Sequence, residues 1–140
     1  MCPALSALRS RTLTRPRVLE QLAFARFVDR GDLARYLRRV RPIYRARRDA
    51  TIAALDELLP EAGHHGAAAG LHLHVTLPPG IDELALARTA AARGVLVEEA
   101  ARHWADPALA PPSLVLGYGP LSEPAIRRGI GALAGAIRSA

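Results

Sequence analysis

From Leu33 towards Leu59 the apolar positions recur at helical spacing. Leu33, Leu37, Val40, Tyr44, Thr51, Leu55 and Leu58 share one stripe when positions advance by roughly 100° per residue. The spacing predicts one long helix, with Asp32 as its cap. Pro42 lies inside it, and a missing N–H together with the ring clash costs about 3 kcal/mol in a helix interior, which predicts a kink or a short break. The stripe keeps its phase across Pro42, which favours the kink. Upstream, Leu19, Leu22, Ala23, Phe27 and Val28 give an apolar face to a helix predicted from near Pro16 to Arg30. Thr14 stands as its cap, Pro16 fits its first turn, and Gly31 breaks it. Residues 1–14 carry no period and read as a flexible lead to a single domain over 15–140.

Beyond Pro60, the segment with Gly63, His64, His65 and Gly66 reads as a loop. The period then changes from 3.6 to 2. Leu71, Leu73, Val75 and Leu77 alternate with His72, His74 and Thr76, a half-buried strand stopped by Pro78, Pro79 and Gly80. Asp82 caps a helix through Arg93, with Leu84, Ala87 and Ala91 turned inward and Gly94 as its stop. Val95 to Val97 predicts a short strand, and Ser113 to Tyr118 another. Ser122 caps a last helix with Glu123 and Pro124 in its first turn and a ridge of Ile126, Ile130, Leu133 and Ile137. The order helix, helix, strand, helix, strand, strand, helix is an α+β layer: a small mixed sheet of about three strands covered by helices.

Composition limits the chemistry. In 140 residues all 19 basic side chains are Arg, so a lysine Schiff base, a lysine nucleophile and a P-loop lysine are excluded. Residues 1–50 carry 13 Arg against 4 acids and residues 51–140 carry 6 against 9, so the formal charge of +6 comes from the helical half. A codon bias towards Arg and Ala gives the same excess, and charge alone therefore identifies no partner. One cysteine, Cys2, excludes disulfide frameworks and cysteine zinc clusters. No apolar run reaches a signal-peptide core or a membrane span, which reads as a soluble, cytoplasmic chain without membrane attachment.

Other constellations are weak. His72 and His74 project from one strand face, but zinc needs further ligands, and His64, His65 and His103 supply them only through loop placement. No metal ligand is assigned. The helix after Gly31 is too long for a recognition helix, and Arg35, Arg38, Arg39 and Arg45 spread over the side opposite its apolar stripe as a solvated face. Arg47 projects into the stripe and needs a carboxylate or a backbone carbonyl. No serine stands in a G-x-S-x-G setting, and no catalytic residue is assigned. Arg102 follows a predicted strand, where a guanidinium suits bidentate binding of a carboxylate; Glu98, Glu99 and Asp106 are its alternative structural partners.

Three separated segments carry a family resemblance: Val18 to Ala50 (VLEQLAFARFVDRGDLARYLRRVRPIYRARRDA), Ala69 to Pro78 (AGLHLHVTLP) and Leu116 to Ile130 (LGYGPLSEPAIRRGI). In this order and spacing, over about residues 14–138, the chain resembles the C-terminal part of MocR-type regulators. These are GntR-superfamily transcription factors in which a winged helix-turn-helix precedes a module with the fold of type I pyridoxal-phosphate aminotransferases. The resemblance implies that the chain is the small domain of that module, preceded by the long connecting helix.

It also implies a role for Arg102, which falls where such proteins carry an Arg in an S-R-Y-Y-like segment that holds the carboxylate of an amino-acid effector. Here the segment reads A-R-H-W. Aminotransferases place their carboxylate Arg in an R-L-S-F-like strand, and here that strand reads Val115-Leu116-Gly117-Tyr118, with Val at the Arg position. That difference favours the regulator branch. Pro42 departs from the family's usual helix former. The Schiff-base lysine, the carboxylate for the pyridine nitrogen, the phosphate loop and the DNA-binding domain lie upstream in such proteins. The expectation is therefore a truncated, split or mis-started product. It should bind no cofactor covalently and neither transaminate nor read DNA alone; in a complete homodimeric protein it would contribute Arg102 to binding an amino-acid or amine effector. The alternatives are a fragment of a class I/II aminotransferase and a stand-alone small domain that docks on a partner.

Overall fold

The computed structural model describes residues 17–66 and 70–139. The predicted Thr14 cap, the Pro16 first turn, the lead over 1–14 and Cys2 lie outside them. The chain divides into two compact units, with the division between Val40 and Arg41.

In the first unit, α1 (Val18–Asp29) ends at Arg30, whose N–H bonds to the Arg26 carbonyl 3.0 Å away. Gly31 then takes φ +71°, a left-handed conformation that an L side chain resists, and α2 (Asp32–Leu58) follows at once. No residue of α1 is buried. Its apolar face is instead open: Leu19 is 82% exposed, and Leu22, Phe27 and Val28 are also exposed. Asp32 is the first residue of α2 and forms ion pairs with Arg30 (3.4 Å) and Arg35.

Helix α2 passes Pro42 without a break in the helical assignment. Pro42 offers no N–H to the Arg38 carbonyl, and both residues are exposed. In the second unit the helix buries Thr51, Ala54 and Leu55.

The sheet has four strands in the order β1-β2-β4-β3, all neighbours antiparallel: β1 (Gly63–His65), β2 (His72–Thr76), β3 (Glu98–Glu99) and β4 (Ser113–Gly117). The fold class is α+β, with helices α1, α2, α3 (Glu83–Ala92) and α4 (Glu123–Ile137). Leu73, Val75, Leu114 and Leu116 point to one face and form the core with Leu55, Leu59, Leu86, Ile126, Ile130 and Leu133. The ridge of α4 is buried as its 3–4 spacing predicts, with Ile137 packed at its margin.

Three expectations are corrected. The Gly63–His65 loop is strand β1, paired His65↔His74 and Gly63↔Thr76. Its three residues carry no alternation, and the pairing comes from the neighbouring strand. In α3 the buried positions are Leu86 and Ala90, while Leu84 is 49% exposed. The sequence ELALARTAAA places small apolar residues on most sides of the helix, so its phase is set by packing. Val95 to Val97 is not a strand: the Val95 N–H closes the end of α3 on the Ala90 carbonyl at 3.0 Å, and pairing with β4 starts only at Glu98↔Val115. Leu96 is left 90% exposed.

Candidate functional site

The site is built around the first turn of α3. Asp82 caps the helix as predicted, its Oδ1 accepting from the Leu84 and Ala85 N–H groups at 2.9 and 3.1 Å. The next residue, Glu83, reaches away from the helix. Its Oε1 accepts from the Ser113 N–H at 2.6 Å and its Oε2 from the Ala101 N–H at 3.3 Å. One carboxylate thus ties the start of β4 to the turn of 3-10 helix at Ala100–His103 that carries Arg102. Ser113 is fully buried and donates its hydroxyl to the Pro111 carbonyl (2.7 Å), which fixes the other end of the same connection.

Arg102 stands on that turn directly after β3. Its Nε lies 3.1 Å from the Glu99 carboxylate. Glu99 is mostly buried (15% exposed side chain) and Arg102 mostly open (67%), so the ion pair orients the guanidinium more than it stabilises the fold. Of the three sequence-level alternatives for its structural partner, the structure selects Glu99. The contact uses Nε, and the two terminal nitrogens have no other partner among the described residues. Arg102 borders an open groove of about 470 Å³ with Glu83, Leu84, Glu99, Pro107 and Pro112. Its neighbours in sequence diverge: His103 pairs with Glu98 at 3.2 Å and Trp104 is half-exposed. Such a turn can present two parallel N–H donors to a carboxylate, and the acidic wall beside it opposes a second anion.

The other candidates separate from this site. Arg47 donates to the backbone carbonyl of Gly119, and its guanidinium carbon lies 5.8 Å from the Tyr44 ring centroid, a structural role. Arg35, Arg38, Arg39 and Arg45 are exposed. His65 and His74 face each other across strands with ring centroids 6.3 Å apart, and His64 pairs with Asp56 at 3.0 Å. Among the described residues no three His, Cys, Asp or Glu side chains are placed to hold a metal. Ser122 precedes α4 in the cap position without a side-chain cap bond. Sequence reasoning misses Glu83, which reads as an ordinary acid in a helix first turn. No described helix is long and apolar enough to cross a membrane.

A four-stranded antiparallel sheet with two helices on one face, entered by a long helix, is the fold of a part of the type I, pyridoxal-phosphate-dependent aminotransferases. The chain is similar to solved structures of that class. The kynurenine aminotransferase of Pyrococcus horikoshii matches over 95% of this chain and 33% of its own, with 30% identity and a TM-score of 0.84. The multiple substrate aminotransferase of Thermococcus profundus matches over 81% and 28%, with 29% identity and a TM-score of 0.75. The α-aminoadipate aminotransferase of Thermus thermophilus, solved with N-(5′-phosphopyridoxyl)-L-leucine, matches over 96% and 34%, with 24% identity and a TM-score of 0.79. The chain thus spans about a third of the length of each. No protein-family model matches it, and no curated protein matches it in sequence.

Pyridoxal phosphate is the cofactor this fold implies. The residues present do not fit covalent attachment of it, because the chain has no lysine. Nor does any glycine-rich turn among the described residues open a helix as a phosphate cradle.

Proposed function

We propose that the chain is the small-domain portion of a MocR-like, pyridoxal-phosphate-dependent transcriptional regulator, in which Arg102 receives the carboxylate of an amino-acid effector. The observation that carries the reading is the state of Arg102: held through Nε by Glu99, on a turn tied down by Glu83, and lining an open groove. Val115 supports the regulator branch. It occupies the strand position where the aminotransferase pattern has an Arg, between two buried leucines of β4. In this reading the cofactor and its lysine belong to the other two thirds of such a protein. DNA is contacted only through a winged-helix domain, and the complete protein is a cytoplasmic homodimer.

The test joins this chain to the cofactor and winged-helix domains of a complete relative. Removing a bidentate charged contact costs about 1.5–3 kcal/mol, so Arg102→Ala should weaken an amino-acid effector roughly 10- to 150-fold. The matching amine without a carboxylate should be unaffected. Unchanged affinity for the amino acid would remove Arg102 from the site.

The second reading, a fragment of an aminotransferase, is compatible with the solved structures, each of which is an aminotransferase. The genomic sequence upstream of the chain separates the two. A winged-helix coding region there supports the regulator, and a cofactor domain without one supports the enzyme.

A further inference from the structure

A second concavity shares no residue with the Arg102 groove. It lies between the segment after α3 and the first half of α4. Its inner end is a hollow of about 70 Å³ walled by Thr51, Val97, Leu116, Ile126 and Leu133. Beside it lies a groove of about 590 Å³ edged by Arg93 and Arg128. Val95, Leu96, Gly117, Leu121 and Gly129 line both, so the two adjoin.

Three features make this a binding geometry. First, the floor is kept low by Gly129, where an added Cβ would meet nothing within 4 Å. A glycine inside a helix is unfavourable relative to alanine, and no neighbour requires this one. Second, the rim keeps apolar surface in water: Leu96 is 90% and Leu121 40% exposed. Third, the charge is of one sign. No acidic residue lines either part, and neither Arg93 nor Arg128 has a carboxylate partner among the described residues. The Arg93 guanidinium is nonetheless held in place. It donates to Ser139 Oγ at 3.0 Å and lies against α4 at Gly135, where a Cβ would come within 2.6 Å of its Nη1.

We propose that this groove binds a small branched aliphatic carboxylate, its alkyl end in the hollow and its carboxylate at Arg93 and Arg128. An apolar hollow beside two cations without counter-charges is complementary to an acid of that shape.

The experiment titrates the isotope-labelled chain with 4-methylpentanoate and follows amide shifts of Leu96, Gly117, Leu121 and Gly129. Saturable shifts at these positions are expected, with a Kd in the millimolar range or tighter. Gly129→Leu fills open space, so it should keep the fold, checked by its circular dichroism and melting curve, and abolish the shifts. Arg128→Gln should weaken binding about five- to tenfold, and the neutral 4-methylpentanamide should bind wild type about as weakly. The proposal is overturned by absent saturation, by shifts that survive Gly129→Leu, or by acid and amide binding equally. A peptide ending in leucine that binds more tightly than the free acid would equally overturn the small-acid occupant.

Discussion

Helices α4 and α1 carry apolar stripes of the same period, yet they end in opposite environments. Ile126, Ile130 and Leu133 on α4 are at most 6% exposed, because the sheet residues Leu73, Leu114 and Leu116 lie under them. On α1, Leu19, Leu22, Phe24, Phe27 and Val28 remain exposed, and no residue is buried. A helical apolar period therefore states that a helix is amphipathic; it does not state that the covering surface belongs to the same chain. The second unit holds a closed core within its own residues.

The largest expected effect tests that contrast directly. Leu114 is fully buried in β4, so Leu114→Ala should lose about 2–5 kcal/mol of unfolding free energy through lost transfer energy and a residual cavity. Leu22, 57% exposed on α1, should change stability by no more than about 0.5 kcal/mol on the same replacement. Urea unfolding of the two variants checks both. A Leu22→Ala loss as large as that of Leu114→Ala would mean that the stripe of α1 is covered in solution.

Next in size is Glu83, which belongs wholly to the second unit. Glu83→Ala leaves the Ala101 and Ser113 N–H groups without their acceptor, at an expected cost of about 1–3 kcal/mol. Faster amide hydrogen exchange at both positions should accompany it. Asp82→Ala removes only the cap of α3, and about 1 kcal/mol should go with it. Its exchange effect should stay at Leu84 and Ala85. If Glu83→Ala left exchange at Ala101 unchanged, the turn bearing Arg102 would be fixed by something other than that carboxylate.

What is legible in the sequence follows from how local each signal is. Strands β2 and β4 and helix α4 are readable because alternation and 3–4 spacing are written in consecutive residues. Arg102 does follow a strand, but that strand is the two-residue β3, which carries no alternation, and not the one expected at 95–97. Strand β1 is not readable, since Gly63, His64 and His65 become a strand only through pairing with residues 74–76. The inward face of α3 is hidden by its alanines, and the strand expected at 95–97 is displaced by the bond that ends α3. Glu83 is hidden because its partners are 18 and 30 residues away, a distance that no local pattern encodes.

The smallest effect is electrostatic and also lies in the second unit. Arg127 of α4 forms two hydrogen bonds to Glu57 of α2, at 2.5 and 2.6 Å. These bonds, together with the charge of the guanidinium, hold the Glu57 carboxyl below the usual carboxylate range, and the same contact raises Arg127. In the unfolded chain Glu57 takes up its proton first as pH falls, so through the acid region the unfolded state binds more protons and stability rises with pH. The contribution is complete above the usual carboxylate range and disappears as pH drops through the lowered value. Both groups are solvent-exposed, so the pair is screened and salt should reduce it further. Arg127→Gln should therefore lower neutral stability slightly in low salt, leave stability below the lowered carboxyl value unchanged, and so flatten the acid limb between them. Arg17→Gln, which breaks the exposed Arg17–Glu20 pair within the first unit, should leave that limb as it was. An equal flattening by Arg17→Gln would show that the acid response belongs to net charge and not to the Glu57–Arg127 contact.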